Sequence, residues 1–325
     1  MIACRCVIAA LALASLVGPF AADAQRSEKM VRIGFLGMDS GMQSARVDAL
    51  KDGLRALGYF EGRNMVFEAR WAEGRVDRLP ELSSELIGSN VDVIVTATPL
   101  AIRAMQRATM TIPIIMTSND PVGLGFVTSF AQPGGNITGP AHQDLELSVK
   151  RLDLLRQAVP ELARVAVLWN KEGFGAGAVQ VVENAARTMG IQTLALEVQR
   201  PEDFAAALAK AKAWGARGLI ELFSPLLTRN RKLLLEQLNA NRLPTICDSR
   251  IYVVDGCLMA YGADLDASFR RMAYYVDRIL KGAKPADLPV EQSREFEFVV
   301  NQRTAQLLGL KLPSSLMLEA TEVIR

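Results

Sequence analysis

The chain has 325 residues, half of them hydrophobic, and a formal net charge of +2. This size and apolar content are sufficient for two packed domains, and the balanced charge indicates neither a nucleic-acid partner nor a disordered acidic tail. The single histidine, His142, excludes a multi-histidine metal site, and the four cysteines lack the spacing of a zinc site.

The first 24 residues have the pattern of a cleaved export signal. Arg5 supplies a positive start, residues 7–17 form a short apolar run, and Ala22-Asp23-Ala24 matches the small-x-small cleavage pattern. The alternative is a membrane anchor, but the run is too short to span a bilayer. We expect the mature protein to begin near Gln25 and to be soluble in the periplasm.

Strands and helices alternate through the first part of the mature chain. Apolar runs predict strands at residues 31–37, 91–95 and 112–116, and a partly alternating pattern predicts one at 65–71. Helical periodicity predicts helices at residues 43–57 and 76–87, and Pro99 is suited to the first turn of another. Strands that alternate with helices indicate a parallel sheet covered on both faces.

The stretch 111–139 separates this array from a second one. Its apolar strand ends in Thr117-Ser118-Asn119-Asp120, and Pro121 then turns the chain away from a helical conformation. In open α/β sheets the carboxyl ends of the strands line the ligand crevice. We therefore interpret this stretch as a strand that delivers polar groups to a crevice before the chain leaves for a second unit.

The same alternation returns after Gly139. The predicted helices are residues 147–159, 176–189, 201–214 and 226–240, and the predicted strands are residues 164–169, 193–198, 218–223 and 244–247. Later elements at 258–261, 269–280 and 295–300 are too few for a third domain. The fold class is therefore predicted as α/β with two Rossmann-like lobes of parallel strands. The alternative is one large doubly wound sheet, although domains above about 250 residues usually split.

Several motifs carry a family resemblance. They are TIPI at 111–114, DPVG at 120–123, PGGNITG at 133–139, GLRALGYFEGRN at 53–64, AEGRVDRLP at 72–80, KRLDLL at 150–155 and YVDRILKGAKPADLPVE at 275–291. With them the chain resembles the ABC-transporter solute-binding proteins of the tryptophan/tyrosine-binding type, which have the type I periplasmic binding protein fold. The resemblance covers nearly all of the mature chain.

The resemblance implies how the lobes are composed. Residues 30–120 with about 255–284 would form lobe 1, residues 121–254 with about 285–325 would form lobe 2, and three hinge segments would join them. It further implies a ligand cleft between the lobes and an ABC permease in the cytoplasmic membrane as partner. A monomer is expected.

Thirteen residues are candidate ligand contacts, because they follow strands in the two lobes. The polar ones are Asp39, Ser40, Thr96, Thr98, Thr117, Asn119, Asp120, Asn170, Ser224 and Asp248, and the aromatic ones are Trp169, Phe223 and Tyr261. Ser40 and Thr98 precede helices, whose N-termini attract a carboxylate. Taken singly, each polar residue is also explained as a helix cap or a turn residue, and each aromatic as packing under a loop. The resemblance favours ligand contact over a structural role for these thirteen residues taken together.

The ligand that the resemblance implies is an amino acid or a related aromatic or apolar carboxylate. Asp120 and Asp248 suit an ammonium or hydroxyl group, and the aromatic side chains suit the ligand body. No arginine or lysine stands in these clusters, which argues against phosphates and dicarboxylates. Sugars stay open as an alternative.

Enzymes and DNA-binding repressors are the other classes to weigh. Residues 173–178 contain G-x-G-x-x-A, and Glu197 ends the next predicted strand, as in a dinucleotide fingerprint. The spacing is loose and an exported protein rarely meets NAD, so we expect no cofactor. There is no G-x-S-x-G nucleophile elbow. An exported enzyme or a ligand-binding sensor stays the runner-up, whereas a repressor would need a helix-turn-helix where the signal stands.

The two cysteines of the mature chain are Cys247 and Cys257, which bracket a short loop. In an oxidising compartment a disulfide between them is allowed. The alternative is a pair of small buried apolar residues. The sequence leaves both open, because it does not show whether the side chains meet.

Overall fold

The chain folds into alternating strands and helices. The computed structural model describes residues 30–142, 144–171 and 175–325. In chain order the strands are β1 (Val31–Gly37), β2 (Met65–Trp71), β3 (Val93–Ala97), β4 (Ile114–Asn119), β5 (Ile137–Thr138), β6 (Pro140–His142), β7 (Arg164–Trp169), β8 (Gln192–Glu197), β9 (Gly218–Glu221), β10 (Thr245–Cys247), β11 (Met259–Ala263), β12 (Glu291–Gln292), β13 (Phe296–Asn301) and β14 (Glu322–Ile324). The helices are α1 (Ser40–Ala56), α2 (Leu79–Gly88), α3 (Pro99–Ala108), α4 (Asp144–Ala158), α5 (Gly175–Thr188), α6 (Asp203–Trp214), α7 (Pro225–Arg229), α8 (Arg231–Ala240), α9 (Arg250–Val254), α10 (Leu265–Leu280), α11 (Gln302–Leu308) and α12 (Ser314–Glu319).

These strands form two separate seven-stranded sheets, which confirms the predicted α/β class. The first has the order β12-β6-β4-β3-β1-β2, with β5 paired to β4. The second has the order β14-β13-β11-β10-β9-β7-β8, and among its described pairs β11–β13 is the antiparallel one. We call the first sheet with α1, α2, α3 and α10 lobe 1, and the second sheet with the other helices lobe 2.

The middle strands of both sheets are buried because helices cover both of their faces. All five residues of β3, VIVTA, are buried, and so are all four of β9, GLIE. A strand enclosed in this way needs successive apolar side chains rather than an alternating pattern. In β1, Phe35 joins the apolar cluster that includes α1 and α10, and Leu36 joins the cluster that includes α2 and α3. The continuous apolar runs in the sequence are therefore the signature of these sheets.

The chain passes between the lobes three times. It leaves lobe 1 after β6, returns between β11 and α10, and leaves again between β12 and β13. Three crossings are the number that the family resemblance implied. Because all three connections are short, they can act as the hinge between two packed bodies.

The lobe boundaries expected from the resemblance need correction at the short strands. Residues 137–142 were expected in lobe 2, but β5 and β6 pair with β4 and belong to the first sheet. Residues 255–263 were expected in lobe 1, but β11 pairs with β10 and belongs to the second sheet. Residues 291–292 form β12 beside β6 in the first sheet. Hydrogen-bond partners decide which sheet a short strand joins, and local sequence does not encode those partners.

Two other expectations differ in detail. The helix predicted over 226–240 is two helices, because Asn230 between α7 and α8 has a non-helical backbone (φ −103°, ψ 19°). Helices α9, α11 and α12 were not predicted, and neither were the short strands β5, β6, β12 and β14. These elements have seven residues or fewer, so periodicity has too few positions to reveal them.

Candidate ligand-binding cleft

Two threonines on lobe 1 present buried hydroxyl groups without a hydrogen-bond partner among the described residues. Thr117 lies in β4 opposite Ala97, and Thr98 follows Ala97 directly, so the two lie side by side at the carboxyl ends of β3 and β4. Both Oγ1 atoms are buried. A buried hydroxyl normally finds a partner, so two neighbouring exceptions at a sheet edge indicate a place for a polar ligand group.

Thr98 also has an unusual backbone. Its φ of 82° is left-handed, and its side chain makes no capping bond to α3 although it occupies the N-cap position. A β-branched residue in this conformation is strained, and such strain concentrates at functional sites. The structure therefore rejects the simple cap explanation for Thr98 and leaves its hydroxyl group available.

Side chains of lobe 1 already accept the backbone N–H groups at the start of α1. Gln43 Oε1 accepts hydrogen bonds from the backbone N–H of Met38 (2.8 Å) and of Asp39 (3.3 Å). The Ser40 N–H donates to the carboxylate of Glu73 at 3.5 Å. A carboxylate ligand thus meets fewer free N–H groups here than the sequence suggested, which weakens Asp39 and Ser40 as an anion site.

Three further candidates of lobe 1 differ in their surroundings. Thr96 is fully buried and its hydroxyl donates to the carbonyl oxygen of Leu36 at 2.9 Å. Asp120 is exposed, has φ 43°, and accepts the N–H of Gly123 at 2.9 Å, so it is a turn residue. Asn119 is half-buried at the end of β4 beside β6. Thr96 and Asp120 therefore have structural roles that explain their presence.

On lobe 2, a buried carboxylate lies behind Asp248. Glu221 at the end of β9 is fully buried, and its Oε1 accepts the hydroxyl of Tyr252 at 3.0 Å. Its Oε2 accepts the backbone N–H of Asp248 at 3.3 Å, and Asp248 Oδ1 accepts the hydroxyl of Ser249 at 2.9 Å. Burial raises the pKa of Glu221 well above its usual range, and the nearby charge of Asp248 adds to this. Asp248 is half-buried.

Sequence reasoning missed Glu221, although a signal was present. An acidic residue closes the otherwise apolar strand GLIE, and ionisable side chains are seldom fully buried without a partner. The remaining polar candidates of lobe 2 are buried structural residues. Asn170 Nδ2 donates to the carbonyl of Val198 at 2.6 Å, and Ser224 Oγ accepts the N–H of Leu227 as the cap of α7 at 3.1 Å.

Two of the three aromatic candidates lie together. Trp169 ends β7 and Phe223 follows the adjacent β9, and both are half-buried. The Nε1 atom of Trp169 is buried without a hydrogen-bond partner among the described residues. Tyr261 instead stacks on Phe296, with ring centroids 6.0 Å apart, and packs against the core of lobe 2. Tyr261 is half-buried and already has Phe296 as a ring neighbour, so its contact with a ligand stays a prediction.

A cation that the sequence analysis overlooked faces acids of both lobes. Arg46 on α1 is half-buried, and burial lowers its pKa while the charges of Asp266, Asp248 and Glu297 act in the opposite direction. Burial also raises the pKa of Glu297 to about 7. The listed sequence clusters contain no arginine or lysine, but Arg46 lies near Asp248, so their composition alone does not argue against phosphates or dicarboxylates. Helix α1 places Arg46 seven residues after Asp39, outside any polar cluster of the sequence.

Metal and membrane features are missing from the residues that the structure describes. In that part of the chain no three His, Cys, Asp or Glu side chains gather as a metal site. Within the same ranges no helix is sufficiently long and apolar to cross a bilayer. The signal segment 1–24 and residues 173–174 of the glycine-rich motif lie outside the described residues.

Comparison with known proteins places this two-lobed chain in a family. The model of the "ABC transporter substrate binding protein" family matches residues 35–324. The chain belongs to that family. Among its relatives is the tyrosine-binding protein of Clostridioides difficile (strain R20291), which is 24% identical over 287 residues, covering 85% of this chain and 81% of the relative.

Solved structures share the fold of this substrate-binding protein. A conserved domain protein from Vibrio cholerae superposes with a TM-score of 0.82 at 26% identity, over 91% of this chain and all of the other. A Streptococcus pneumoniae ABC domain in complex with L-Trp superposes with a TM-score of 0.81 at 23% identity, over 90% and 99% of the two chains. These likenesses support the type I binding-protein fold.

In this substrate-binding protein the structure brings some candidates together and separates others. Thr98 and Thr117 share one edge of lobe 1, and Asp248 shares an edge of lobe 2 with Glu221. The structure adds Glu221, Arg46 and Glu297, which local sequence patterns did not single out. It assigns local structural roles to Thr96, Asp120, Asn170, Ser224 and Tyr261.

Proposed function

We propose that this protein is the periplasmic solute-binding component of an ABC importer. It would bind an amino acid with an aromatic or apolar side chain between its lobes and deliver it to a membrane permease. The observation that carries the proposal is the pair of buried hydroxyl groups of Thr98 and Thr117, which have no hydrogen-bond partner among the described residues. A carboxylate is a suitable acceptor for two neighbouring hydroxyl donors.

The other groups of an amino acid have counterparts in lobe 2. The carboxylate of Asp248 suits an ammonium group, and the buried Glu221 and the Ser249 hydroxyl hold the Asp248 segment in place. Trp169 and Phe223 offer flat apolar surfaces for a ring. Binding groups on both lobes explain why a ligand would stabilise the closed form, since only that form brings the groups together.

The relatives agree with this ligand class. One is described as a tyrosine-binding protein and another was solved with L-Trp, and both extend over most of this chain. Their identities to this chain are 24% and 23%, so the ligand class is a proposal drawn from its own residues as well as from theirs. Tyrosine and tryptophan are therefore the first ligands to test.

Export through a cleaved signal belongs to the same proposal. The pattern of residues 1–24 and the family both favour a periplasmic location. Edman sequencing or mass spectrometry of protein from the periplasmic fraction should find an N-terminus near Gln25. Intact Met1 on a purely cytoplasmic protein would contradict this location.

Calorimetric titration tests the ligand and its contacts. Tyrosine and tryptophan are compared with their deaminated acids for the wild type and for Asp248→Asn. If Asp248 pairs an ammonium, the substitution should weaken amino-acid binding by about 2–5 kcal/mol and should affect the deaminated acids much less. Asp120→Asn is the matched control, because Asp120 is an exposed turn residue. Equal affinity of the wild type for the amino and deaminated forms would remove Asp248 from the site.

Native mass spectrometry of protein purified from its host extends the test to ligands outside this class. A co-purifying molecule of the mass of an aromatic amino acid would support the proposal. A co-purifying sugar or another unrelated molecule would contradict the proposed amino-acid ligand but would still support a solute-binding function.

A further inference from the structure

Helix α1 of lobe 1 carries an arginine to the place where the chain crosses between the lobes. Helices α1 and α10 are in close contact at Gly53, where an added Cβ would lie 2.9 Å from Cβ of Ala273. Both helices begin at the cleft side of lobe 1 and so run in the same direction. Seven residues earlier on each helix stand Arg46 and Asp266. Helix geometry therefore places this pair together, two turns nearer the crossing.

Two acids of lobe 2 meet at the same place. Glu297 in β13 lies opposite Gly262 in β11, and its Oε1 accepts the backbone N–H of Arg250 at 3.3 Å. A Cβ added to Gly262 would lie only 2.0 Å from the carbonyl oxygen of Asp248, so the backbone of Asp248 packs directly against β11. Asp248 and Glu297 consequently form an acidic pair at the edge of lobe 2 beside the crossing that leads into α10. Arg151 and Arg250 of the same lobe lie nearby.

Helix α1 brings Arg46, together with Asp266, to the crossing beside this acidic pair. The charge of Arg46 interacts with Asp248 and Glu297 of lobe 2 as well as with Asp266 of its own lobe. Asp266 moves together with Arg46 when the lobes rotate, whereas the other two acids move with lobe 2. Opening the cleft would therefore separate Arg46 from two opposite charges in a partly desolvated place, where charges interact more strongly than in water.

A second arginine makes contact between the lobes at the outer side of the cleft. Arg229 of α7 lies flat over Gly74 of lobe 1, with Nη1 3.4 Å and Cζ 3.7 Å from the position of a Cβ there. Gly74 has φ +76° and donates its N–H to the Met38 carbonyl at 2.7 Å, which ties this loop to the end of β1. The guanidinium of Arg229 thus contacts lobe 1 at a place separate from the acids around Arg46.

We propose that Arg46 is an electrostatic latch that favours the closed arrangement of the lobes before any ligand is bound. Its attraction to Asp248 and Glu297 holds lobe 2 against lobe 1, and the Arg229–Gly74 contact closes the outer side. The ligand then acts on a closed population that already exists, so the apparent affinity depends on the latch as well as on direct contacts. The latch rests on the two-lobe closure of the proposed function but not on the identity of the ligand.

Distance measurements on the ligand-free protein test the latch directly. Spin labels on cysteines introduced at Glu81 of α2 and Lys232 of α8, both exposed, report the separation of the lobes by pulsed electron resonance. We expect a short and a long distance in the wild type. Arg46→Gln should reduce the ratio of the short to the long population several-fold. Arg55→Gln is the matched control, because Arg55 lies on the same helix and pairs with Asp52 of that helix.

A double-mutant comparison identifies the partners of the latch. If Arg46 acts through the acids of lobe 2, Asp248→Asn with Glu297→Gln should lower the closed population, and adding Arg46→Gln should then change it little. An unchanged distance distribution in Arg46→Gln would overturn the latch, as would an equal effect of Arg55→Gln. Because no ligand is present, failure of the latch is distinct from failure to bind an aromatic amino acid. Loss of affinity in Arg46→Gln with an unchanged distribution would make Arg46 a ligand contact instead.

Discussion

At the scale of single residues, Thr98 combines a strained backbone with a buried hydroxyl that has no hydrogen-bond partner among the described residues. Its φ of 82° disfavours a β-branched residue, and Gly would occupy this conformation without strain. Thr96, two positions earlier, has the same chemistry but uses its hydroxyl within the sheet. Both side chains belong to the same segment of lobe 1, and they differ in whether the hydroxyl group already has a hydrogen-bond partner among the described residues. Thr98 can therefore donate its hydroxyl hydrogen to a ligand, whereas Thr96 donates its own to the sheet.

Substitution of Thr98 should therefore separate stability from binding. Thr98→Gly removes the hydroxyl and the strain, so we expect a higher melting temperature with affinity for the amino acid reduced by about 1 kcal/mol. Thr98→Ala keeps the strain and should weaken binding by a similar amount without the gain in stability. Thermal unfolding and calorimetric titration measure the two effects. Unchanged affinity in both variants would show that the carboxylate does not bind at Thr98.

Thr96→Val serves as the comparison within the same strand. It removes the hydroxyl bonded to the Leu36 carbonyl and leaves that acceptor without this donor. The expected result is a loss of stability of about 1–3 kcal/mol with ligand affinity retained in the folded protein. A selective loss of affinity here would instead place the ligand at Thr96.

Glu297 should make stability depend on pH in a defined window. Burial raises its pKa from the ordinary 4.5 to about 7, so the folded state binds the proton more tightly than the unfolded state. The free energy of unfolding should then fall as pH rises from about 4.5 to about 7, and this loss should be complete above that range. Glu297→Gln should remove this loss and be more stable than the wild type at pH 8, on the order of 2 kcal/mol.

Urea unfolding at pH 5 and pH 8 measures the Glu297 effect. The difference between Glu297→Gln and the wild type should be larger at pH 8, because the wild-type carboxyl is charged there. Glu295→Gln on the exposed neighbouring position is the control and should show no such change. A constant difference between wild type and Glu297→Gln at both pH values would contradict the raised pKa.

At the scale of secondary-structure elements, β10, α9 and β11 form one unit that holds Asp248. Cys247 at the end of β10 and Cys257 before β11 are joined in a disulfide, which resolves the alternative that the sequence left open. Tyr252 of α9 reaches Glu221 of β9 with its hydroxyl group, and both side chains are fully buried. The unit is therefore tied to the sheet on both sides of Asp248.

Reduction of this disulfide should loosen the unit. The bridge closes a loop with a sequence separation of 10 residues, for which the loop-entropy model gives about 3 kcal/mol of stability. The Cys247→Ala/Cys257→Ala protein should accordingly have a lower melting temperature and should respond no further to reductant. Identical melting of the wild type with and without reductant, with thiol alkylation proving reduction, would contradict this contribution.

At the scale of the whole molecule, two rigid lobes joined by three crossings allow a ligand to stabilise the fold by binding to both. At a ligand concentration of about 100 times Kd, mass action should add about 2.7 kcal/mol to the free energy of unfolding. We expect tyrosine or tryptophan to raise the melting temperature accordingly and to be recovered unchanged after long incubation. Recovery of an altered compound would move the enzyme alternative to first place.

The sequence by itself determined the elements and the fold class. The apolar runs of β1 and β7 and the partly alternating pattern of β2 predicted strands with the observed bounds. Strands enclosed by helices need successive apolar residues, whereas β2 lies at the edge of its sheet and contains Glu68 and Arg70. The motifs around DPVG and PGGNITG were sufficient to identify the family. The sequence also marked Thr98 and Asp248, since polar residues after buried strands reach the edge where the crevice of an α/β sheet forms.

Only the tertiary structure decided which of the polar side chains are already used in hydrogen bonds within the fold. Thr96 and Thr98 look alike in sequence, but a partner 60 residues away occupies one hydroxyl. Arg46, Glu221 and Glu297 gained their roles through neighbours that are distant in the chain, on other helices and strands. Likewise, hydrogen-bond partners placed β11 in lobe 2 and β12 in lobe 1. Charge proximity and strand pairing depend on residues that are distant in the chain. A local sequence pattern therefore specifies which polar and charged side chains are present, but not which neighbours they have in the fold.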